Sequence, residues 1–134
     1  PAATLIGHVG KLIKVAAGVM NTHSRQADCR AEVFASHAAM AGASAETIHK
    51  IMHSITTAEM IELLEKENLL KPVMKSVMQR IAFYLQHRSG GSLRVEAIVF
   101  STEYGILGET DGAGELLEML RTESAKKKET GETE

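Results

Sequence analysis

The sequence predicts a helix-rich α/β fold in which two strands form part of a small parallel sheet covered by helices. Two short apolar segments predict the strands: Ala2-Ala3-Thr4-Leu5-Ile6-Gly7 and Val95 to Phe100. The second segment is nearly continuously apolar, which is typical of a strand buried on both faces of a parallel sheet. The residues between them favour helices, because a core of Ala, Leu, Ile, Val and 7 Met, with aromatic residues at only 4%, packs close helices well.

The first strand leads through a tight turn into a helix that is predicted to start near Lys11 and to end between residues 18 and 21. Lys11 and Lys14 lie off the apolar stripe of this helix, so the helix has one buried face. That stripe consists of Leu12, Val15, Ala16 and Val19.

A second helix is predicted from about Arg25 to Ala41, and Gly42 stands where a C-terminal cap belongs. Ser44 can cap a short third helix that runs through Met52. The second helix has one apolar face, which consists of Ala27, Ala31, Phe34, Ala35 and Ala38.

Two further helices are predicted before the second strand. Thr56, followed three residues later by Glu59, indicates a capping box for a helix from Ala58 to about Glu67. Pro72 suits the first turn of a long helix that is broken at residues 88–92. The long helix has apolar positions at Val73, Met74, Val77, Met78, Ile81 and Leu85.

After the second strand, a Gly-rich loop from Gly105 to Gly114 is predicted to lead into a last short helix, Glu115 to Arg121. Residues 124–134 have no apolar side chain beyond Ala125, so we expect a disordered charged tail after one domain over residues 1–123. Two strands are few for a parallel sheet. We therefore expect this domain to be truncated at its start and to be a fragment of a larger Rossmann-like lobe.

Composition limits the classes of partner. The net charge is −2, from 15 Lys and Arg against 17 Asp and Glu, so no basic field attracts nucleic acid or a membrane surface. No apolar run is long enough for a membrane span, and no targeting segment is recognised. Cys29 is the single cysteine, which fits a reducing compartment, and we expect a cytoplasmic protein.

The segment Gly7-His8-Val9-Gly10-Lys11 lies between the first strand and its helix, where open α/β sheets bind ligands. It is not a Walker A loop, and it lacks the third glycine of a dinucleotide fingerprint. The alternative is that the two glycines only permit a strand-to-helix turn and that Lys11 is solvated.

A second polar segment, Asn21-Thr22-His23-Ser24-Arg25, joins the first two helices. Thr22 or Ser24 is needed to cap the second helix, which leaves His23 without a structural role. Arg25, Asp28 and Glu32 follow at i, i+3 and i+7 on one face. The alternative is a surface ion-pair ladder without further function.

No metal site is predicted. His49 and His53 have the i, i+4 spacing of a helical metal pair, but no glutamate of a His-Glu-x-x-His motif lies between them, and no third ligand is evident. The sequence also has no nucleophile elbow.

The string from Gly7 to Glu32, GHVGKLIKVAAGVMNTHSRQADCRAE, closely resembles the most recognisable segment of the CbiD family. The resemblance continues to Ala41-Gly42-Ala43 and returns at Glu96-Ala97-Ile98-Val99-Phe100-Ser101 and Ile106-Leu107-Gly108. Two positions depart from the family pattern: Cys29, where Ala is frequent, and Val9, where some members have Pro.

The resemblance implies a two-lobed enzyme of cobalamin biosynthesis that transfers a methyl group from S-adenosyl-L-methionine to carbon 1 of cobalt-precorrin-5B. This chain is then part of the carboxy-terminal lobe, and its partner is the missing amino-terminal lobe of the same protein. A homo-oligomer is left open, as is the question of which lobe binds the methyl donor.

The resemblance also implies roles for individual residues. His23 is the candidate for proton handling, with Asp28 or Glu32 orienting it. The residues expected to bind the carboxylates and other polar groups of the ligands are Gly7, His8, Gly10, Lys11, Thr22, Ser24, Arg25 and Arg30. The competing classes are a noncatalytic ligand- or nucleotide-binding α/β domain and a set of helices that serves mainly as a dimer interface.

Overall fold

The computed structural model describes residues 2–20, 28–90, 93–116 and 118. Three strands and five α-helices have defined bounds within these ranges, and one 3₁₀ helix follows the first α-helix. In chain order they are β1 (Ala2–His8), α1 (Val9–Leu12), the 3₁₀ helix (Ile13–Ala17), α2 (Arg30–Met40), α3 (Ala45–Met52), α4 (Thr57–Lys66), α5 (Leu70–Ser89), β2 (Arg94–Ser101) and β3 (Gly105–Glu109). Residues 113–116 are also helical.

The sheet has the order β1-β2-β3. The strands β1 and β2 pair in parallel from Ala2↔Arg94 to His8↔Phe100, which confirms the predicted parallel pair and the α/β class. The strand β3 pairs with β2 in the antiparallel direction, with an irregularity between Val99 and Phe100.

The prediction of a loop from Gly105 to Gly114 is wrong for residues 105–109, which form β3. Glycines lower the strand propensity of this segment, but one of them is required by packing. A Cβ atom on Gly108 would lie 2.6 Å from Cγ of Met78, so the absence of a side chain lets β3 approach α5. The last helical segment starts at residue 113, two residues earlier than predicted, and its predicted end and the charged tail lie outside the described residues.

The predicted caps of α3 and α4 are confirmed. Ser44 Oγ accepts the Thr47 N–H at 3.2 Å, and Thr56 Oγ1 accepts the Glu59 N–H at 3.2 Å. The Glu59 carboxylate accepts the N–H of Ile55 at 3.3 Å, one residue before the cap. The apolar stripe of α5 is confirmed too, since its six predicted positions are all buried.

The predicted first helix is interrupted. The α-helical part covers only Val9–Leu12, and a 3₁₀ helix continues to Ala17 before Gly18, which has a φ of 83° and lies against Tyr84. The helix α2 has its first residue at Arg30, and the predicted start at Arg25 falls among the residues that are not described.

The main core lies between one face of the sheet and the helices. Ala97 and Val99 of β2 contribute to it, together with the buried face of α5 and the 3₁₀ helix. Ile98, Ala113 and Leu116 are buried outside this core, on the side of β2 opposite to Val99. None of the described helices has the length and apolar character needed to cross a membrane.

A polar contact joins α2 to α5 inside the helical layer. His37 is buried, and its Nδ1 atom lies 2.6 Å from Ser76 Oγ. Burial, and secondly the charge of Arg80, lowers the pKa of His37, because both disfavour the protonated ring. The neutral ring is therefore the form that the fold stabilises.

We expect acid to destabilise the fold through His37. Its pKa is lowered in the folded state, so the unfolded chain takes up the proton first. The contribution of His37 to the free energy of unfolding is fully present above the pKa of about 6.5 that it has in the unfolded chain. This contribution is lost as the pH falls from there through the lower pKa that His37 has in the folded protein. Urea unfolding at a series of pH values measures the free energy of unfolding. As the pH falls, this free energy should decrease less for His37→Gln than for the parent, and it should decrease as much as in the parent for the exposed control His53→Gln. Equal losses for His37→Gln and the parent would contradict this assignment.

Because β3 approaches α5 closely at Gly108, substitution of Gly108 by Ala should affect stability differently from substitution of Gly114. Gly108→Ala should destabilise the protein by about 1–3 kcal/mol, because the new methyl group overlaps the Met78 side chain. The control is Gly114→Ala, in a helical turn, where the nearest atom lies at an ordinary 3.6 Å. This change should be neutral or stabilising, since Ala favours helix over Gly. Urea midpoints measure both, and equal shifts would contradict the packing argument.

Candidate functional site at the carboxyl ends of β1 and β2

The carboxyl ends of the two parallel strands lie side by side, with His8 at the end of β1 paired to Phe100 of β2. The His8 and Phe100 rings meet edge to face with centroids 5.7 Å apart. Ligands of open α/β sheets bind at this end of the strands. The turn that the sequence singled out is therefore placed where a ligand site is expected.

His8 caps the short helix α1. Its Nδ1 atom accepts the Gly10 N–H at 3.0 Å, so the neutral ring carries its proton on Nε2. The Gly10 N–H, expected from the sequence to face a ligand, is donated to His8 instead. The capping bond leaves the Nε2–H of His8 as a donor that it does not use.

Lys11 and Gly7 have different environments in this turn. Lys11 is exposed. Gly7 has a structural function, because a Cβ atom there would lie 2.9 Å from the Leu12 side chain. The glycine thus permits the strand and the helix to pack closely, as the alternative interpretation of this motif proposed.

Arg30 is the first residue of α2, and its side chain pairs with Asp28, two residues earlier. Arg30 Nε and Nη2 donate to the two carboxylate oxygens of Asp28 at 2.9 and 3.1 Å, and the Arg30 N–H donates to Oδ1 at 3.3 Å. These hydrogen bonds lower the pKa of Asp28 to about 2. Glu32 is exposed in the first turn of α2.

Lys14 is a charged residue that does not belong to the predicted site residues. It is only 3% exposed, although it was placed off the apolar stripe of a surface helix. Its charge lowers the pKa of Asp28, and it partly offsets the rise in the Cys29 pKa that burial and Glu32 cause. The 3₁₀ helix that carries Lys14 contacts both α2 and α5.

Four of the predicted site residues lie outside the described residues: Thr22, His23, Ser24 and Arg25. The proton-handling role of His23 and the ion-pair ladder that begins at Arg25 stay predictions. Asp28 is the nearest described site candidate in sequence, three residues after Arg25, and it pairs with Arg30.

Elsewhere, a cleft of 610 Å³ lies between α5 and the start of β2, at the end of the sheet away from His8. Glu96 at its wall accepts hydrogen bonds from the Thr110 hydroxyl and the Gly112 N–H, and Arg94 donates to the Gly112 carbonyl. These contacts fix the turn after β3. Within the described ranges, no cluster of His, Cys, Asp and Glu is arranged to hold a metal ion.

Comparison with known proteins gives one family. The family model described as CbiD, C-terminal domain, matches residues 21–111. A relative from Ruminiclostridium cellulolyticum named cobalt-precorrin-5B C(1)-methyltransferase is 43% identical over 127 residues, which are 91% of this chain and 33% of the relative. A relative of the same name from Alkaliphilus metalliredigens is 37% identical over 91% of this chain and 32% of the relative. Another, from Methanocaldococcus jannaschii, is 36% identical over 78% of this chain and 28% of the relative.

The chain thus spans about a third of the length of the curated relatives it matches. No solved structure matches it.

The Asp28–Arg30 pair can be tested by titration. Arg30→Ala removes both side-chain hydrogen bonds, so the pKa of Asp28 should rise from about 2 toward the ordinary value near 4. Arg30→Lys keeps the charge but loses the forked geometry, and an intermediate pKa is expected. Carboxyl-carbon NMR over a pH series measures the change directly. An unchanged Asp28 pKa in Arg30→Ala would show that the pair does not form in solution.

Proposed function

Because the chain belongs to the CbiD family, we propose that it forms the carboxy-terminal part of a methyltransferase of cobalamin biosynthesis. The proposed reaction transfers the methyl group of S-adenosyl-L-methionine to carbon 1 of cobalt-precorrin-5B. The observation that carries the proposal is the family match over residues 21–111, which spans α2 to α5, β2 and β3. The names of the relatives supply the reaction and its substrate.

The chemistry requires orientation more than acid–base catalysis. A carbon of the macrocycle attacks the sulfonium methyl group, the new carbon–carbon bond forms as the carbon–sulfur bond breaks, and the electron pair of that bond stays on sulfur. Bound S-adenosyl-L-methionine supplies this activated methyl group. The protein must hold the two reactants in line and exclude competing nucleophiles, since correct alignment accounts for much of such a rate enhancement.

His8 and Lys11 are the described residues best suited to binding at the carboxyl ends of the strands. The hydrogen bond from the Gly10 N–H fixes the His8 ring and so orients its Nε2–H donor. Lys11 is an exposed cation three residues further along the chain. Donors of this kind match carboxylates, which both the methyl donor and the corrinoid substrate carry. We assign them to carboxylate binding, with Arg30 engaged by Asp28 in the absence of ligand.

His23 remains the proposed proton-handling residue, with Asp28 or Glu32 orienting it. Asp28 is ionised at neutral pH, as an ordinary Asp is, and its pairing with Arg30 lowers its pKa further, to about 2. Thr22, Ser24 and Arg25 are proposed to contribute further polar contacts to the ligands. The enzyme is proposed to be cytoplasmic.

The remaining part of the enzyme, its amino-terminal lobe, is proposed to cover the free edge of β1. This strand pairs with β2 on one side, and Leu5, which pairs with Ala97 on the face of the main core, is 42% exposed. Strands of parallel sheets are normally buried. An additional strand with its own helices would bury this edge.

The proposal can be tested with a chimera in which this chain replaces the matched third of the Ruminiclostridium cellulolyticum relative. We expect transfer of labelled methyl from S-adenosyl-L-methionine to cobalt-precorrin-5B. His8→Asn keeps a capping acceptor but loses the distal donor, and it should lower kcat/KM about 10-fold or more, as should Lys11→Ala. His23→Ala should lower kcat about 100-fold or more.

The control is Lys50→Ala, an exposed residue whose ammonium pairs with Glu46 at 3.4 Å on α3, which should leave the rate unchanged. A folded chimera without methyl transfer, beside an active parent relative, would overturn the proposed function. A His23→Ala chimera that works at the parental rate would remove only the role of His23.

A further inference from the structure

One face of the sheet carries a row of three side chains that crosses all three strands. His8 pairs with Phe100, and Phe100 pairs with Ile106, so the three residues stand side by side at the same level of the sheet. Ile106 is 66% exposed and Phe100 is 36% exposed. We call His8, Phe100 and Ile106 the cross-strand row. Its width is about 10 Å, from two strand spacings.

The cross-strand row lies on the face opposite the main core. Side chains alternate along β2, so Phe100 and Ile98 point away from the side of Val99, which is buried against the helices. Ile98, one step back on this face, is buried together with Ala113 and Leu116. Arg94 and Glu96 bind Gly112 just before this helical turn and hold it over the amino-terminal half of the strands.

The described part of the chain leaves the other half of this face open. The β2–β3 turn is folded tightly by a hydrogen bond from the Tyr104 N–H to Ser101 Oγ at 2.9 Å and by Gly105, which has a φ of 73°. This turn therefore stays at the end of the sheet and does not fold back over Phe100 and Ile106. Ile6, in the adjacent row, is 59% exposed and extends the apolar surface toward β1.

A polar residue ends the cross-strand row on the β1 side. His8 is both a member of the row and a donor, since the Gly10 N–H occupies its Nδ1 and leaves the proton on Nε2. Lys11 follows in the first turn of α1 and is exposed. A flat apolar surface whose row ends in an N–H donor, with an exposed cation three residues further along the chain, suits a flat ligand that has an apolar face and carboxylates around its periphery.

We infer that the cross-strand row is the surface on which a tetrapyrrole macrocycle lies, with its peripheral carboxylates directed to His8 and Lys11. The choice of ligand class rests on the proposed function. The surface itself rests on strand register, exposure and the tautomer of His8. Phe100 and Ile106 contact the macrocycle face, where aromatic and aliphatic side chains bury large areas of a flat ring.

Binding can be measured with this chain and cobyrinic acid, a cobalt corrinoid that keeps its peripheral carboxylates. The visible spectrum of the corrin reports binding. Ile106→Glu places a charge under the macrocycle and should raise Kd about 10-fold or more, whereas the control Met40→Glu, at a site that is similarly exposed at 69% on α2, should leave Kd unchanged. The methyl ester of cobyrinic acid should bind less tightly than the acid, and Lys11→Ala should reduce that difference.

Three results would overturn the inference and leave the proposed function standing, since the chimera tests methyl transfer separately. One is the absence of cobyrinic acid binding to this chain. Another is binding that Ile106→Glu does not weaken. The third is self-association in sedimentation that Ile106→Glu abolishes, because the row would then be covered by a second copy.

Discussion

The parallel pairing of β1 with β2 is the constraint on which the rest of the structure depends. It joins residues 2–8 to residues 94–100, so everything between them must form one crossover connection. That connection contains α1 to α5, and it packs against the face of the sheet that presents Ala97 and Val99. The same pairing places His8 beside Phe100, although more than ninety residues separate them along the chain.

Short-range hydrogen bonds then determine which polar groups can meet a ligand. His8 accepts the Gly10 N–H, and Arg30 engages both oxygens of Asp28. Each pairing satisfies a group that the sequence alone would assign to ligand binding, and each fixes the geometry of its partner. The candidate site therefore has fewer available donors than the motif suggests.

Two departures from the sequence-based prediction have tertiary causes. The strand β3 contains glycines that argue against a strand, yet Gly108 is needed for the contact with Met78 of α5. Lys14 lies off the apolar stripe of an ideal helix, yet it is buried in a 3₁₀ helix that contacts both α2 and α5. Neither partner surface can be identified from the local sequence, since both come from α2 and α5, which lie far along the chain.

The sequence by itself determined the α/β class, the parallel pair of strands, the caps at Ser44 and Thr56 and the buried stripe of α5, because each follows from local periodicity or from a side chain bonding to a nearby N–H. It also predicted the strand-to-helix turn from Gly7 to Lys11, because its two glycines permit a tight turn. Only the tertiary structure decided that Lys14 is buried and that His8, Phe100 and Ile106 form one row. Those features depend on strand register and on packing between distant segments, which are set when the whole chain folds.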